Sequence, residues 1–141
     1  LPVQNIADNL SGKVTNPKYD FIDNGIISLL APDIRTSLLE NMVALHLMRV
    51  HGSKDAVYYY NSGVEVDFYV PETETAVQVC YSLNDADGTF ERETKALASI
   101  NSRLACRRSI IVTYETEDTV EIDGISIEII PAHKFLLQYS R

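Results

Sequence analysis

Val57-Tyr58-Tyr59-Tyr60-Asn61-Ser62-Gly63-Val64-Glu65-Val66-Asp67-Phe68-Tyr69-Val70-Pro71-Glu72-Thr73-Glu74-Thr75-Ala76-Val77-Gln78-Val79-Cys80-Tyr81 reads as three strands and two turns. Val57–Tyr60 is β-branched and aromatic, the composition of a strand. Asn61-Ser62-Gly63 is a hairpin loop, with Gly63 free to take a left-handed conformation. Val64 to Val70 alternates strictly, which sets Val64, Val66, Phe68 and Val70 on one face and Glu65, Asp67 and Tyr69 on the other. Pro71-Glu72-Thr73-Glu74 turns the chain. Thr75 to Tyr81 is a third strand on which Gln78 and Cys80 share a face.

Outward from this meander, a helix is expected from Pro32 to about Val50, stopped near Gly52. At about 100° per residue, Leu39, Val43, Leu47 and Val50 fall within roughly an 80° arc, and Glu40 lies about 20° beyond it. Glu40 therefore sits at the margin of the core. On the other side, Asn84-Asp85-Ala86-Asp87-Gly88 is a loop and Thr89 a helix N-cap. Leu97, Ile100 and Leu104 form the inner stripe of the following helix. Arg108–Thr113 is a strand which, because a helix separates it from the third, is expected to run parallel to it. Thr119–Ile130 reads as a hairpin around Asp123-Gly124, and Pro131 opens a last helix ending near Tyr139. Before the first helix, Lys18-Tyr19-Asp20-Phe21-Ile22-Asp23 is strand-like and ends at the turn Asn24-Gly25. Residues 1–16 form a polar lead-in and 17–141 one domain. A mixed sheet flanked by helices, in the order helix, three-strand meander, helix, strand, is an α/β fold.

The 141 residues suit one core, with 45% apolar and 23% charged residues. No run is long enough to span a membrane. The chain opens Leu1-Pro2-Val3-Gln4-Asn5, with neither a signal-peptide pattern nor an initiator Met, and is expected to be a piece of a longer protein. Cys80 and Cys106 fall in or beside apolar segments and form no ligand pattern with the three histidines, so packed, reduced thiols in the cytoplasm are expected and zinc is not. The net charge of −8 opposes phosphate binding. Arg103, Arg107 and Arg108 are the one candidate basic cluster. They are equally read as a solvated helix end.

Three features offer chemistry: Glu40 at the helix margin, Asp67 on the second strand, and Gln78-x-Cys80 on the third. A metal that activates water for phosphodiester cleavage needs hard oxygen ligands, and a neighbouring lysine stabilises charge growing on the phosphate. Arg92 and Lys95, early in the next helix, could supply a cation. They are equally an exposed surface with i,i+4 pairing. Tyr58, Tyr59 and Tyr60 could stack on bases, or simply edge the core.

Lys18-Tyr19-Asp20-Phe21-Ile22-Asp23-Asn24-Gly25, Leu39-Glu40-Asn41-Met42-Val43-Ala44, Tyr59-Tyr60, Glu65-Val66-Asp67-Phe68, Gln78-Val79, Thr89-Phe90-Glu91-Arg92-Glu93 and Ile129-Ile130-Pro131 together resemble the 4143 family of C-terminal domains of unknown function that follow AAA-type ATPase domains. More broadly, the chain resembles the PD-(D/E)XK restriction-endonuclease-like superfamily. The resemblance implies an ATP-binding ATPase domain before Leu1. It matches Glu40 to the helix acid and Asp67 to the central aspartate. Gln78 stands where a second acid belongs and Cys80 where the lysine belongs. The expected function is thus a non-catalytic, nuclease-like module that regulates the ATPase or recognises a partner, with no cofactor of its own. The alternative is a weak Mg- or Mn-dependent DNA or RNA nuclease with its metal at Glu40, Asp67 and Gln78. A purely structural or oligomerisation domain is a third reading. Neither the protein partner nor binding of nucleic acid is fixed by the residues.

Overall fold

The structure, a computed structural model, describes residues 2–5, 18–19, 32–83, 86 and 88–141. The expected turn at Asn24-Gly25 and most of the loop at 84–88 lie outside these. The elements run β1 (Pro2–Asn5), β2 (Lys18–Tyr19), α1 (Pro32–Val50), β3 (Tyr58–Asn61), β4 (Glu65–Val70), β5 (Thr75–Val79), α2 (Thr89–Asn101), β6 (Arg108–Thr113), β7 (Asp118–Ile122), β8 (Ile125–Pro131) and α3 (Ala132–Gln138). They build one mixed sheet in the order β2-β1-β3-β4-β5-β6-β8-β7. β3, β4 and β5 form the antiparallel meander, and β6 lies parallel to both β5 and β8. The chain is an α/β protein with helices on both faces of the sheet.

The apolar pattern sorts the helices. α1 and α3 cover one face through Leu39, Val43, Leu47 and Phe135, packed on Phe68, Val77, Ile110 and Val112. α2 covers the other through Leu97 and Ile100, packed on Val66, Ala76, Ile111 and Ile127. β5 and β6 feed both layers, so they are buried along almost their whole length. Each large side chain buried here contributes about 1.5–3 kcal/mol. Asp123 and Gly124 both take positive φ (53° and 79°), the conformation of a two-residue hairpin loop with twist matched to its strands. Gly63 turns the β3–β4 hairpin at φ 82°. α2 begins one residue earlier in its cap than expected: Gly88 is the N-cap and Thr89 the first helical residue.

The strict alternation expected along β4 breaks. Between the pairs Tyr58↔Tyr69 and Tyr60↔Val66, β3 advances two residues while β4 advances three. The extra residue is a β-bulge at Asp67-Phe68. Val64 and Val66 consequently pack toward α2, whereas Phe68 and Val70 pack toward α1. A bulge costs ladder bonds and re-aims a side chain. Here the side chain concerned is Asp67.

Candidate functional site

The bulge coincides with a gap in the sheet. Backbone pairing between β4 and β5 runs from Val70↔Thr75 to Phe68↔Val77 and stops. Beyond it, side chains take over the backbone groups. The Asp67 N–H donates to Gln78 Oε1 at 2.8 Å, and Gln78 Nε2 donates to the Glu65 carbonyl at 3.0 Å. The Val79 N–H donates to Asp67 Oδ2 at 2.8 Å. Buried backbone groups must be paired. Gln78, which is 3% exposed, does so with both ends of its amide, acting as a stitch across the gap.

Where the strands part, a cleft of about 640 Å³ opens between α1, the β3–β4 hairpin and α2. Glu40, Asp67, Gln78, Arg92 and Lys95 all line it, so the residues singled out for chemistry converge apart from Cys80. Cys80 is buried and donates its thiol to the Ser82 carbonyl at 2.8 Å, outside the cleft lining. Glu65 and Glu93 line the cleft as well. Glu93 was not among the residues singled out. Its side chain is 15% exposed, and its carboxyl is pushed up to about 7 by burial and then by the charge of Asp67, with smaller contributions from Glu40 and Glu65. Arg92, whose Nε lies 3.7 Å from Glu93 Oε1, acts against that shift. Its side chain is two-thirds exposed, too wet to neutralise the acid fully. A sequence signal existed: Glu93 stands four residues before Leu97 and seven before Ile100, on the helix stripe that faces the sheet.

The two candidate cations are surface groups. Lys95 pairs with Glu91 at 2.6 Å across one turn, which raises the lysine's pKa and lowers the glutamate's. The arginine cluster is likewise engaged. Arg103 donates to Tyr60 Oη at 3.2 Å and to the Ser62 carbonyl, Arg107 pairs with Glu74 at 2.8 Å, and Arg108 holds Glu128 through two bonds of 2.6 and 3.0 Å. Tyr59 and Tyr60 are buried and Tyr58 half-buried, so the tyrosine run edges the core.

A catalytic divalent ion requires oxygen ligands that converge on one point. Among the described residues, no three of the His, Cys, Asp or Glu side chains do so. The Gln78 oxygen is engaged by the Asp67 N–H, and an Asp67 oxygen by the Val79 N–H. The residues present do not fit the metal that the nuclease resemblance implies.

Fold and site together define a mixed α/β domain with an acidic cleft at a side-chain-stitched gap in its sheet. The chain is similar to an uncharacterized protein of Methanocaldococcus jannaschii, MJ1544, with 35% identity over 147 aligned positions, taking in 95% of this chain and 33% of the relative. The chain thus spans about a third of that relative's length. No family model and no solved structure matches it. Among the described residues no helix is long and apolar enough to cross a membrane.

Proposed function

We propose that this domain is a non-catalytic, nuclease-like module that serves an AAA-type ATPase domain of the same polypeptide by regulating it or recognising its partner. The observation that carries the reading is the Gln78 stitch. At the position where a nuclease of the resembled kind needs an acid, this chain uses an amide to close a gap in its own sheet. A carboxylate there would lack the N–H that holds the Glu65 carbonyl. The relative's length, about two thirds of which lies beyond the aligned stretch, leaves room for an ATPase domain in it, where ATP would bind. Two cysteines without a disulfide agree with a reducing compartment such as the cytoplasm.

One observation favours the alternative, a weak metal-dependent nuclease: Glu93 brings a further carboxylate to the cleft of Glu40 and Asp67. Against it stand the carboxylates, no three of which are placed to hold one ion among the described residues, and the paired Lys95. Loss of one electrostatic stabiliser costs about 10²- to 10³-fold in rate. The test is incubation of the chain with plasmid, linear duplex, single strands and RNA in Mg²⁺ and in Mn²⁺. No cleavage is expected. Metal-dependent cleavage that Asp67→Asn abolishes would overturn the proposal in favour of the nuclease.

A further inference from the structure

The parallel strands β5, β6 and β8 end side by side at the carboxyl edge of the sheet. In open α/β sheets, ligands settle outside that edge. Just past it, Tyr81 follows β5, Tyr114 follows β6 and Ala132 follows β8. The Tyr114 N–H donates to the Tyr81 carbonyl at 3.1 Å, and the Tyr81 N–H donates to Thr36 Oγ1 at 3.3 Å. Both tyrosines are thereby held against the start of α1. Their rings stack, with centroids 4.8 Å apart and planes within 12° of parallel, and the Arg35 guanidinium lies 5.2 Å from the centre of the Tyr81 ring. Tyr114 is nevertheless 51% exposed, which leaves aromatic surface on which a further ring can stack.

These rings border a groove of about 470 Å³, with Leu38 and Met42 of α1 and Leu136 of α3 as its apolar floor. It shares no lining residue with the acidic cleft. An apolar hollow of this size with a few polar groups at its rim is the form of a small-molecule site. Two of those rim groups are charged, Arg35 and Glu115. Both are exposed, and among the described residues neither has an ion pair, with the other or with any third group. His133, also exposed at the rim, adds an imidazole that offers a donor or an acceptor. Lys134, next along α3, is engaged by Glu117. The formal charges of Arg35 and Glu115 cancel. A ligand of single sign is attracted by one of them and repelled by the other, whereas a zwitterion is complementary to both.

We propose that this groove binds a free aromatic α-amino acid, with its ring on Tyr114 and the apolar floor, its carboxylate toward Arg35 and its ammonium group toward Glu115. An aromatic residue within a peptide lacks one or both of those charges, so the occupant is the free amino acid. The site goes beyond the reading of the cleft and does not rest on it.

The experiment follows the backbone amides of the ¹⁵N-labelled chain during titration with L-phenylalanine to about 20 mM, since a ligand this small, held by exposed charges, is expected to have a Kd of about 1 mM. Saturable shifts are expected in residues 35–42, 81, 114, 115 and 132–136, while Asp67 and Val79 of the cleft stay unmoved. Phenethylamine and 3-phenylpropanoate each keep the ring and one charge, and should bind several-fold more weakly. L-alanine, which lacks the ring, should not bind measurably. Arg35→Gln should weaken L-phenylalanine and 3-phenylpropanoate about two- to fivefold, the range of an exposed ion pair, and leave phenethylamine no weaker. Glu115→Gln should weaken L-phenylalanine and phenethylamine and spare 3-phenylpropanoate. Tyr114→Ala should weaken all three, and Tyr114→Phe none. The three substituted side chains are exposed, so these variants leave the core intact. The proposal is overturned if L-phenylalanine gives no saturable shift, if the shifts centre elsewhere, if the one-charge probes bind as tightly as the amino acid, or if the two charge variants weaken every probe alike.

Discussion

Glu93 shows how one side chain can carry an unfavourable charge because of where the helix places it. Its position on α2 follows the apolar stripe, and the sheet beneath supplies Asp67. Since its folded pKa is about 7 against an ordinary 4.5, the folded state keeps a proton there that the unfolded chain has already lost. Between those two values stability therefore falls as pH rises, and the cost is complete above about 7. Glu93→Gln removes the titration. We expect that variant to be more stable than the wild type at about pH 8 by roughly 1–3 kcal/mol. The gain should vanish near pH 4.5, where the wild-type residue is itself protonated. Urea melts of both proteins across this range check the sign. A variant less stable at high pH would mean that Glu93 is held by a favourable partner.

At the scale of the element, β4 separates what was legible from what was not. The meander, the helix limits at Pro32 and Val50, the parallel placement of β6 and the Asp123-Gly124 hairpin all follow from local periodicity and turn chemistry. The bulge does not. Strict alternation of Val64, Val66, Phe68 and Val70 is the period of an unbroken strand, and nothing in it records that β3 pairs with β4 out of step. Register is settled between strands, by pairings that a single segment does not encode. The Gln78 stitch is hidden for the same reason. Its consequence can be measured: Gln78→Leu leaves the Asp67 N–H and the Glu65 carbonyl without their partner, and each such loss costs about 1–3 kcal/mol. We expect a loss of about 2–4 kcal/mol in denaturant melts, far more than a polar-to-apolar change at a buried strand position would otherwise bring. A neutral outcome would show that the amide is not needed to close the gap.

For the molecule as a whole, the convergence of Glu40, Asp67 and Gln78 on one cleft was readable, because a helix-edge acid and two neighbouring strands leave few ways to arrange themselves. The fate of the cations was not. Arg103, Arg107 and Arg108 are close in sequence, yet they pair with the β3–β4 loop, the β4–β5 turn and β8. The central claim is that the stitched side of the cleft serves the sheet and not a metal. Nuclear magnetic resonance of the ¹⁵N-labelled chain during a Mn²⁺ titration tests it most directly. The account predicts that the Gln78 side-chain amide and the backbone amides of Asp67 and Val79 show no saturable broadening up to about millimolar Mn²⁺, well above the affinity of built sites. Saturable broadening centred on those three groups would contradict it and make the cleft a metal centre.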